Sequence, residues 1–205
     1  MRLSQFIVTG LSAGSLFIAS CGSGLLGTPK DRDLSTAEGL KSIKEKVTKA
    51  FGADKKVYSC QISARDHMSN EFGNASIHYL DNGKDMSQLF LTEPEEKTKE
   101  PEPATIQNEA FLKSRQGSMA LKDFNFDQIP GKVKEASAMI PAEFEGFTLN
   151  HWYYNVANNG KVTADFVIEG SKKGEKSKQQ GRMIVTNYYE FAFTMDENGK
   201  VTMDE

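Results

Sequence analysis

The sequence predicts an α+β fold made of two tandem units, each a helix followed by a three-stranded antiparallel meander (αβββ). Two amphipathic helix patterns, at 35–51 and 128–140, are each followed by segments in which apolar and polar residues alternate as in half-buried strands. Turn sequences such as Asp81-Asn82-Gly83-Lys84 separate several of these segments. A segment rich in proline and glutamate, 93–104, lies between the two units.

The first unit covers residues 35–92 and opens with a helix. Ser35 and Glu38 match a capping box, in which two side chains bond to backbone N–H groups of the first turn. Gly52 follows at the position where a glycine commonly ends a helix. The apolar stripe of this helix consists of Ala37, Leu40, Ile43, Val47 and Ala50. Strands are expected at 56–65, 74–81 and 86–92.

The segment between the units, 93–104, has five glutamates and three prolines, with no apolar residue before Ala104. It has nothing to bury, so we expect a charged linker or a long exposed loop. The second unit is assigned to 105–205. Its first part, 105–122, is ambiguous, with short strands possible around Ala110–Leu112 and Met119–Leu121.

The second helix is expected from Gln128 to Ile140. Asp127 precedes it as a candidate N-cap, Pro130 stands in its first turn, and Pro141 ends it. Strands are expected at 146–156, 161–169 and 181–195, with a short last strand at 200–203. The turn signals between them are Asn158-Asn159-Gly160 and Asp196-Glu197-Asn198-Gly199.

The N-terminal residues read as a signal peptide. Arg2 gives a positive start, and a mostly apolar stretch runs from Phe6 to Ile18. This stretch is too short to cross about 30 Å of hydrocarbon as a helix. It ends in Ile18-Ala19-Ser20-Cys21, which resembles the bacterial lipobox. The resemblance implies removal of residues 1–20, a diacylglyceryl thioether on Cys21, and acylation of the freed amine, for example by palmitate.

Two or three acyl chains hold a protein stably on a bilayer. No acidic residue follows Cys21 at the sorting positions Gly22 and Ser23. By resemblance to known lipoprotein sorting signals, this favours the outer membrane and a periplasm-facing location. Residues 21–34 then form a flexible tether rich in glycine and charge.

Charge limits the class of partner. Removal of residues 1–20 takes one of the 25 basic residues and none of the 28 acidic ones, so the net charge changes from −3 to −4. An acidic chain of this kind argues against nucleic acid as a partner. The expected partners are the membrane, through lipidated Cys21, and a protein of unknown identity.

The sequence shows no catalytic signature. From Cys21 onward it lacks the G-x-S-x-G, H-E-x-x-H, C-x-x-C and phosphate-loop motifs. His67, His78 and His151 fall in three segments without ligand spacing, which predicts no metal site and no cofactor. A hydrolase that uses two carboxylates stays open, because their spacing is spatial.

The second cysteine, Cys60, lies in an alternating strand and shares one side with Tyr58 and Ile62. No family signature of a catalytic thiol surrounds it. We therefore predict a small buried core residue.

Two features are candidate interaction surfaces. The first is aromatic: Trp152, Tyr154 and Tyr188 are expected on a strand face that either packs on the first unit or contacts a partner. The second is a basic loop between Gly170 and Gly181, which carries Lys172, Lys173, Lys176 and Lys178. It is either a mobile hairpin loop kept soluble by charge, or a contact with anionic lipid or an acidic protein.

In element order, 35–92 and 124–203 resemble the tandem repeats of PepSY-type domains and of the beta-lactamase inhibitor protein. This resemblance implies a binder or an inhibitor. We expect a membrane-tethered periplasmic lipoprotein that acts as a non-enzymatic binding or assembly-accessory module. The alternatives are a proteinaceous inhibitor of a periplasmic enzyme, a carrier of a lipid or small ligand, and a carboxylate-based hydrolase.

Overall fold

The computed structural model describes residues 2–9, 28–104, 107–175, 178–180 and 183–204. For 2–9, 178–180 and 183–186 it describes the backbone alone. Cys21 and Lys176 lie outside the described residues.

The helices are α1 (Ala37–Phe51), α2 (Glu109–Lys113) and α3 (Ile129–Ser137), with 3-10 turns at Lys30–Arg32, Leu121–Asp123 and Phe126–Gln128. The strands are β1 (Arg2–Thr9), β2 (Lys56–Val57), β3 (Ser59–Ala64), β4 (Phe72–Asp81), β5 (Lys84–Leu91), β6 (Lys97–Thr98), β7 (Glu102–Pro103), β8 (Met119–Ala120), β9 (Phe144–Val156), β10 (Val162–Lys172), β11 (Lys178–Gln180), β12 (Met183–Met195) and β13 (Val201–Met203). Within the described ranges, no helix has the length and apolar character needed to cross a membrane.

The fold is α+β, with one long antiparallel sheet in the order β1-β12-β10-β9-β3-β4-β5-β6. Strands β11 and β13 also pair with β12, and β7 pairs with β5. The meander β3-β4-β5 and the strands β9, β10 and β12 meet where β3 pairs with β9, with Cys60 opposite Tyr154. Both predicted strand groups therefore belong to one continuous sheet.

Strand β1 pairs with β12 from Arg2 opposite Glu190 to Thr9 opposite Met183. It lies within the segment that the sequence predicts to be cleaved. In the chain that retains residues 1–20, β1 thus covers this part of the β12 edge.

Helices α1 and α3 pack on one face of the sheet, where the apolar stripe of α1 meets the strands. The core side chains here are Leu40, Ile43 and Val47 from α1, Ile129 and Ala136 from α3, and Cys60, Ile62, Trp152 and Phe166 from the strands. Burial of each large apolar side chain contributes about 1.5–3 kcal/mol relative to exposure, which makes this layer the main source of stability.

The helix starts differ from the prediction. Thr36, not Ser35, caps α1, because its hydroxyl accepts the backbone N–H of Gly39 at 3.1 Å. Ser35 instead donates its hydroxyl to Asp33 at 2.6 Å. Helix α3 ends at Ser137, before the predicted Ile140, and no side chain caps its start, so the Asp127 cap is also wrong.

The segment 105–122, whose sequence is ambiguous, contains helix α2 at the position of the first possible strand. Asn108 caps α2 by accepting the backbone N–H of Phe111 at 2.8 Å. The second expected strand is present as β8, which pairs with β2.

The predicted tether and linker are both partly built into the fold. Leu34 is completely buried and donates its backbone N–H to the carbonyl of Asn70 at 2.8 Å, so the flexible tether does not extend to residue 34. In the predicted linker, β6 and β7 continue the sheet along β5. Glu96 lies 2.7 Å from Lys46 in an ion pair. The 93–104 segment is therefore the exposed edge of the sheet.

Candidate functional site

The sheet face opposite α1 and α3 is polar, and we call it the polar face. Its half-buried side chains include Gln61, Ser63, Asn74, Ser76, His78, His151, Tyr153 and Asn155. The loop Arg65–Glu71, between β3 and β4, brings His67 against β10 on the same side. All three histidines, which fall in three different segments of the chain, thus lie on or over one face.

The predicted aromatic contact surface is wrong. Trp152 and Tyr154 are 0% and 1% exposed and lie in the core under the helices. The Trp152 ring stacks on Phe166 with centroids 4.4 Å apart, and the Tyr154 hydroxyl donates to the Asn125 carbonyl at 2.5 Å. Tyr188 is 5% exposed and points to the opposite, polar face. The three residues neither share a face nor offer an exposed surface.

The basic loop is described in part. Lys172, at the end of β10, and Lys173 are exposed, and the backbone of Lys178 begins β11. Glu175 accepts a hydrogen bond from Asn187 at 2.5 Å and one from the Tyr189 hydroxyl at 3.1 Å, which holds this hairpin against β12. The lysines at 172 and 173 are left on the solvent side.

The most densely bonded group on the polar face surrounds Glu169, a completely buried carboxylate on β10. Its Oε1 lies 2.5 Å from His67 Nδ1 and accepts Asn150 Nδ2 at 2.7 Å. Its Oε2 accepts the backbone N–H of Met68 at 2.6 Å. A buried carboxylate requires such donors, because desolvation otherwise costs several kcal/mol. Glu169 therefore fixes the Arg65–Glu71 loop onto the sheet.

Two more residues complete what we call the His67 cluster (His67, Asn150, Glu169, Tyr188 and Glu190). The Tyr188 ring stacks on the imidazole at 4.4 Å between centroids, and its hydroxyl lies 3.2 Å from His67 Nε2. Glu190 lies directly opposite Glu169 across β10 and β12. The ligand atoms of His67, Glu169 and Glu190 all lie within 4.8 Å of one another, and imidazole nitrogen and carboxylate oxygen are ligand types that metal sites use.

His151 borders this cluster. Its Nδ1 lies 2.8 Å from Asn150 Oδ1, so a protonated Nδ1 donates there. Burial lowers the pKa of His151, while the nearby Glu169 and Asp165 charges act weakly in the opposite direction. The neutral imidazole is thus the form that the fold favours.

A second polar group lies at the other end of the polar face. Asp85 is 1% exposed and accepts the Tyr58 hydroxyl at 2.8 Å. Burial raises the pKa of Tyr58 above its usual value, and the hydrogen bond and charge of Asp85 raise it further.

His78 Nδ1 lies 3.7 Å from Asp85 Oδ1, and Ser59 is opposite His78 in register. The residue types match a Ser-His-Asp triad. Within the described chain, however, the buried Ser59 hydroxyl makes no hydrogen bond, so no activated nucleophile is assembled.

A cavity of about 560 Å³ lies between α1 and β6 and is lined mainly by charged and polar residues, including Glu45, Lys46, Lys49 and Glu96. Its lining fits water or a polar ligand better than an acyl chain.

Cys60 is 1% exposed, and burial raises the pKa of its thiol to about 12. The prediction of a buried core cysteine is confirmed.

Sequence reasoning missed the His67 cluster because its members come from four separate segments. The local signal was Glu169 itself, a carboxylate that directly follows Phe166-Val167-Ile168. An acidic residue in so apolar a strand requires a buried partner, but the sequence does not identify it.

Comparison with protein-family models, with curated proteins and with solved structures finds no match to this chain.

Proposed function

We propose that the protein is a lipid-anchored accessory module of the bacterial envelope: Cys21 carries the lipid, and the folded body binds a protein partner without catalysing a reaction. The observation that carries this proposal is how soon after Cys21 the chain contacts the folded body: Asp31, ten residues after Cys21, lies 3.5 Å from Lys46 of α1. We place the protein at the outer membrane, facing the periplasm.

The short spacer keeps the body near the bilayer. A fully extended chain from Cys21 to Asp31 reaches about 35 Å. Leu34 and Asn70 then join this entry segment to the Arg65–Glu71 loop. The lipid therefore attaches at the end of the sheet that carries this loop.

The basic hairpin lies at the same end. Lys172 is three residues along β10 from Glu169, which holds the Arg65–Glu71 loop, and Lys173 donates its backbone N–H to Glu143. An exposed lysine near an anionic surface contributes about 1 kcal/mol of attraction. Lys172 and Lys173 would thus lie toward the headgroups and help to orient the body, in keeping with the lipid-contact interpretation of this loop.

The polar face is the surface we assign to the partner. Gln61, Tyr153 and Asp165 form one row across β3, β9 and β10, at the centre of the sheet. Such a face extends across both strand groups and favours a hydrogen-bonded, hydrated interface. Tethering raises the effective concentration of this face for any partner in the same membrane.

Two αβββ units are our interpretation of the element order, with β3-β4-β5 following α1 and β9-β10-β12 following α3. The first strands of the two units, β3 and β9, then pair at the centre of the sheet. An inhibitor of a periplasmic enzyme is the second candidate function. It would use the same face, where Tyr153 is a half-buried aromatic residue. A lipid carrier is less well supported, because the cavity beside α1 is polar.

The test uses C-terminally tagged chains in bacterial cells. Wild-type protein should fractionate with membranes and co-purify one reproducible partner, whereas Cys21→Ser should move to the soluble fraction. The double variant Gln61→Lys/Tyr153→Lys should stay on the membrane and lose the partner. The control Glu45→Lys on the exposed side of α1 should lose neither. Membrane association that is independent of Cys21, or a partner retained by the double variant, would contradict the proposal.

A further inference from the structure

Glu169 and Glu190 bring two carboxylates together on the polar face. They lie directly opposite each other in antiparallel register on β10 and β12, where like charges destabilise a sheet. The donors around Glu169 engage both of its oxygens. Among the described side chains, by contrast, the Glu190 carboxylate makes no hydrogen bond or ion pair. A cation between the two carboxylates would remove the repulsion.

His67 adds a nitrogen ligand at the same point. Its ligand atom and those of the two glutamates lie within 4.8 Å of one another. In a tetrahedral zinc site the ligand atoms lie about 2.0–2.2 Å from the ion, and so about 3.4 Å apart. His67 Nδ1 and Glu169 Oε1, which lie 2.5 Å apart, have to separate by about 0.9 Å, and ligand atoms as far as 4.8 Å apart have to approach by about 1.4 Å. Side-chain rotation of His67 and Glu190 allows both adjustments, because neither residue is fully buried.

The surrounding residues hold the ligand side chains in a fixed orientation, as residues around the ligands of metal sites do. Asn150 and the backbone of Met68 hold the Glu169 carboxylate, and the stacked Tyr188 ring holds the imidazole. A second, independent observation lies beside them. Thr148 is opposite Glu169 in register, and its buried hydroxyl has no hydrogen-bond partner in the described chain. A bound ion with its water would give that hydroxyl a partner.

We propose that His67, Glu169 and Glu190 form a zinc-binding site. One imidazole nitrogen and two carboxylate oxygens suit Zn²⁺, and three protein ligands leave the fourth position for water. Ca²⁺ and Mg²⁺ prefer oxygen ligands throughout and are expected to bind more weakly. On binding, the contact between His67 Nδ1 and Glu169 Oε1 is replaced by a bond from each atom to the ion, and any proton on Nδ1 passes to solvent. The ion would then link the Arg65–Glu71 loop to β10 and β12.

The test is calorimetric titration of the metal-free, full-length chain with ZnCl₂, in a Cys21→Ser background so that this thiol does not compete. We expect one Zn²⁺ per chain. Glu190→Gln should weaken binding at least tenfold and leave the fold intact, because this carboxylate makes no hydrogen bond or ion pair with the described side chains. His67→Asn should weaken binding similarly. Glu143→Gln, an equal change of charge at an exposed position outside the cluster, should bind as tightly as the parent chain.

Substitution of Co²⁺ for Zn²⁺ gives an independent readout, since the visible absorption of Co²⁺ reports its ligands. The spectrum of bound Co²⁺ should change in Glu190→Gln and not in Glu143→Gln. Three results would overturn the proposal: no Zn²⁺ binding, equal affinity in the parent chain and Glu190→Gln, or tighter binding of Ca²⁺ than of Zn²⁺ without dependence on His67.

Discussion

His67 Nδ1 and Glu169 Oε1 lie 2.5 Å apart, although the two residues are 102 positions apart in sequence. The carboxylate is completely buried, whereas the His67 side chain is 35% exposed. This pair joins the Arg65–Glu71 loop to strand β10 of the sheet. It stabilises the part of the molecule that we place nearest the membrane.

Loss of the Glu169 charge should destabilise the protein. In Glu169→Gln, an NH₂ group replaces one carboxylate oxygen. The amide no longer accepts hydrogen bonds from all three of His67, Asn150 and the Met68 backbone N–H. Hydrogen bonds to charged groups contribute about 1.5–3 kcal/mol each. We expect a loss of about 2 kcal/mol in the free energy of unfolding, measured by urea denaturation of metal-free protein. The control Glu190→Gln should change it by less than about 0.5 kcal/mol. Equal effects of the two substitutions would mean that Glu169 does not hold the loop.

His151 should make stability depend on pH. Because its pKa is lowered in the folded state, the unfolded chain binds a proton first as the pH falls. The stability that neutral His151 contributes is complete above about pH 6.5, the ordinary pKa of histidine. This stability is lost as the pH falls toward the lower pKa of His151 in the folded state. Thermal unfolding followed from pH 7.5 to pH 5 should show a shallower loss of stability in His151→Gln than in wild type. Parallel curves would show that His151 titrates alike in both states.

Cys60 should resist thiol reagents in the native state. Its thiol is buried and its pKa is raised to about 12, so little reactive thiolate forms at neutral pH. In the Cys21→Ser chain, reaction with a chromogenic disulfide should be negligible until denaturant unfolds the protein, and then should release one equivalent. Rapid labelling before unfolding would contradict a buried position.

Trp152 should behave as a core residue with one unsatisfied group. Its indole N–H is buried without a partner in the described chain. Trp152→Ala should therefore cost about 3–5 kcal/mol, as for large aromatic residues in cores. Trp152→Phe should cost clearly less, because it removes the unpaired N–H and keeps a ring against Phe166. The two unfolding free energies are compared by urea denaturation. A smaller loss in Trp152→Ala than in Trp152→Phe would place the side chain outside the core.

Local patterns predicted the elements well. The stripe of α1 and the turn at Asn82-Gly83 are present, and both turn residues have positive φ as a tight hairpin requires. The short helix α2 was missed because five residues are too few to show a helical period. The side chain of Asn108, which caps the first turn, stabilises this helix.

Which face a side chain occupies was harder to predict. Strict alternation would place Leu149 and Trp152 on opposite sides of the strand, but the register shift beside Asn150 places both in the core. Alternation also gives no account of what covers a face. Trp152 and Tyr154 therefore suggested a partner where the structure supplies α1, α3 and the Phe124–Phe126 segment. The contacts of Glu169 depend wholly on the tertiary fold.

The central claim is that Cys21 anchors this module. It is tested most directly by intact mass spectrometry of the protein extracted from bacterial membranes. The account predicts a chain that begins at Cys21 and carries the mass of a diacylglyceryl group, with an added acyl chain on the amine. A chain that retains residues 1–20, or one cleaved elsewhere without lipid, would contradict it.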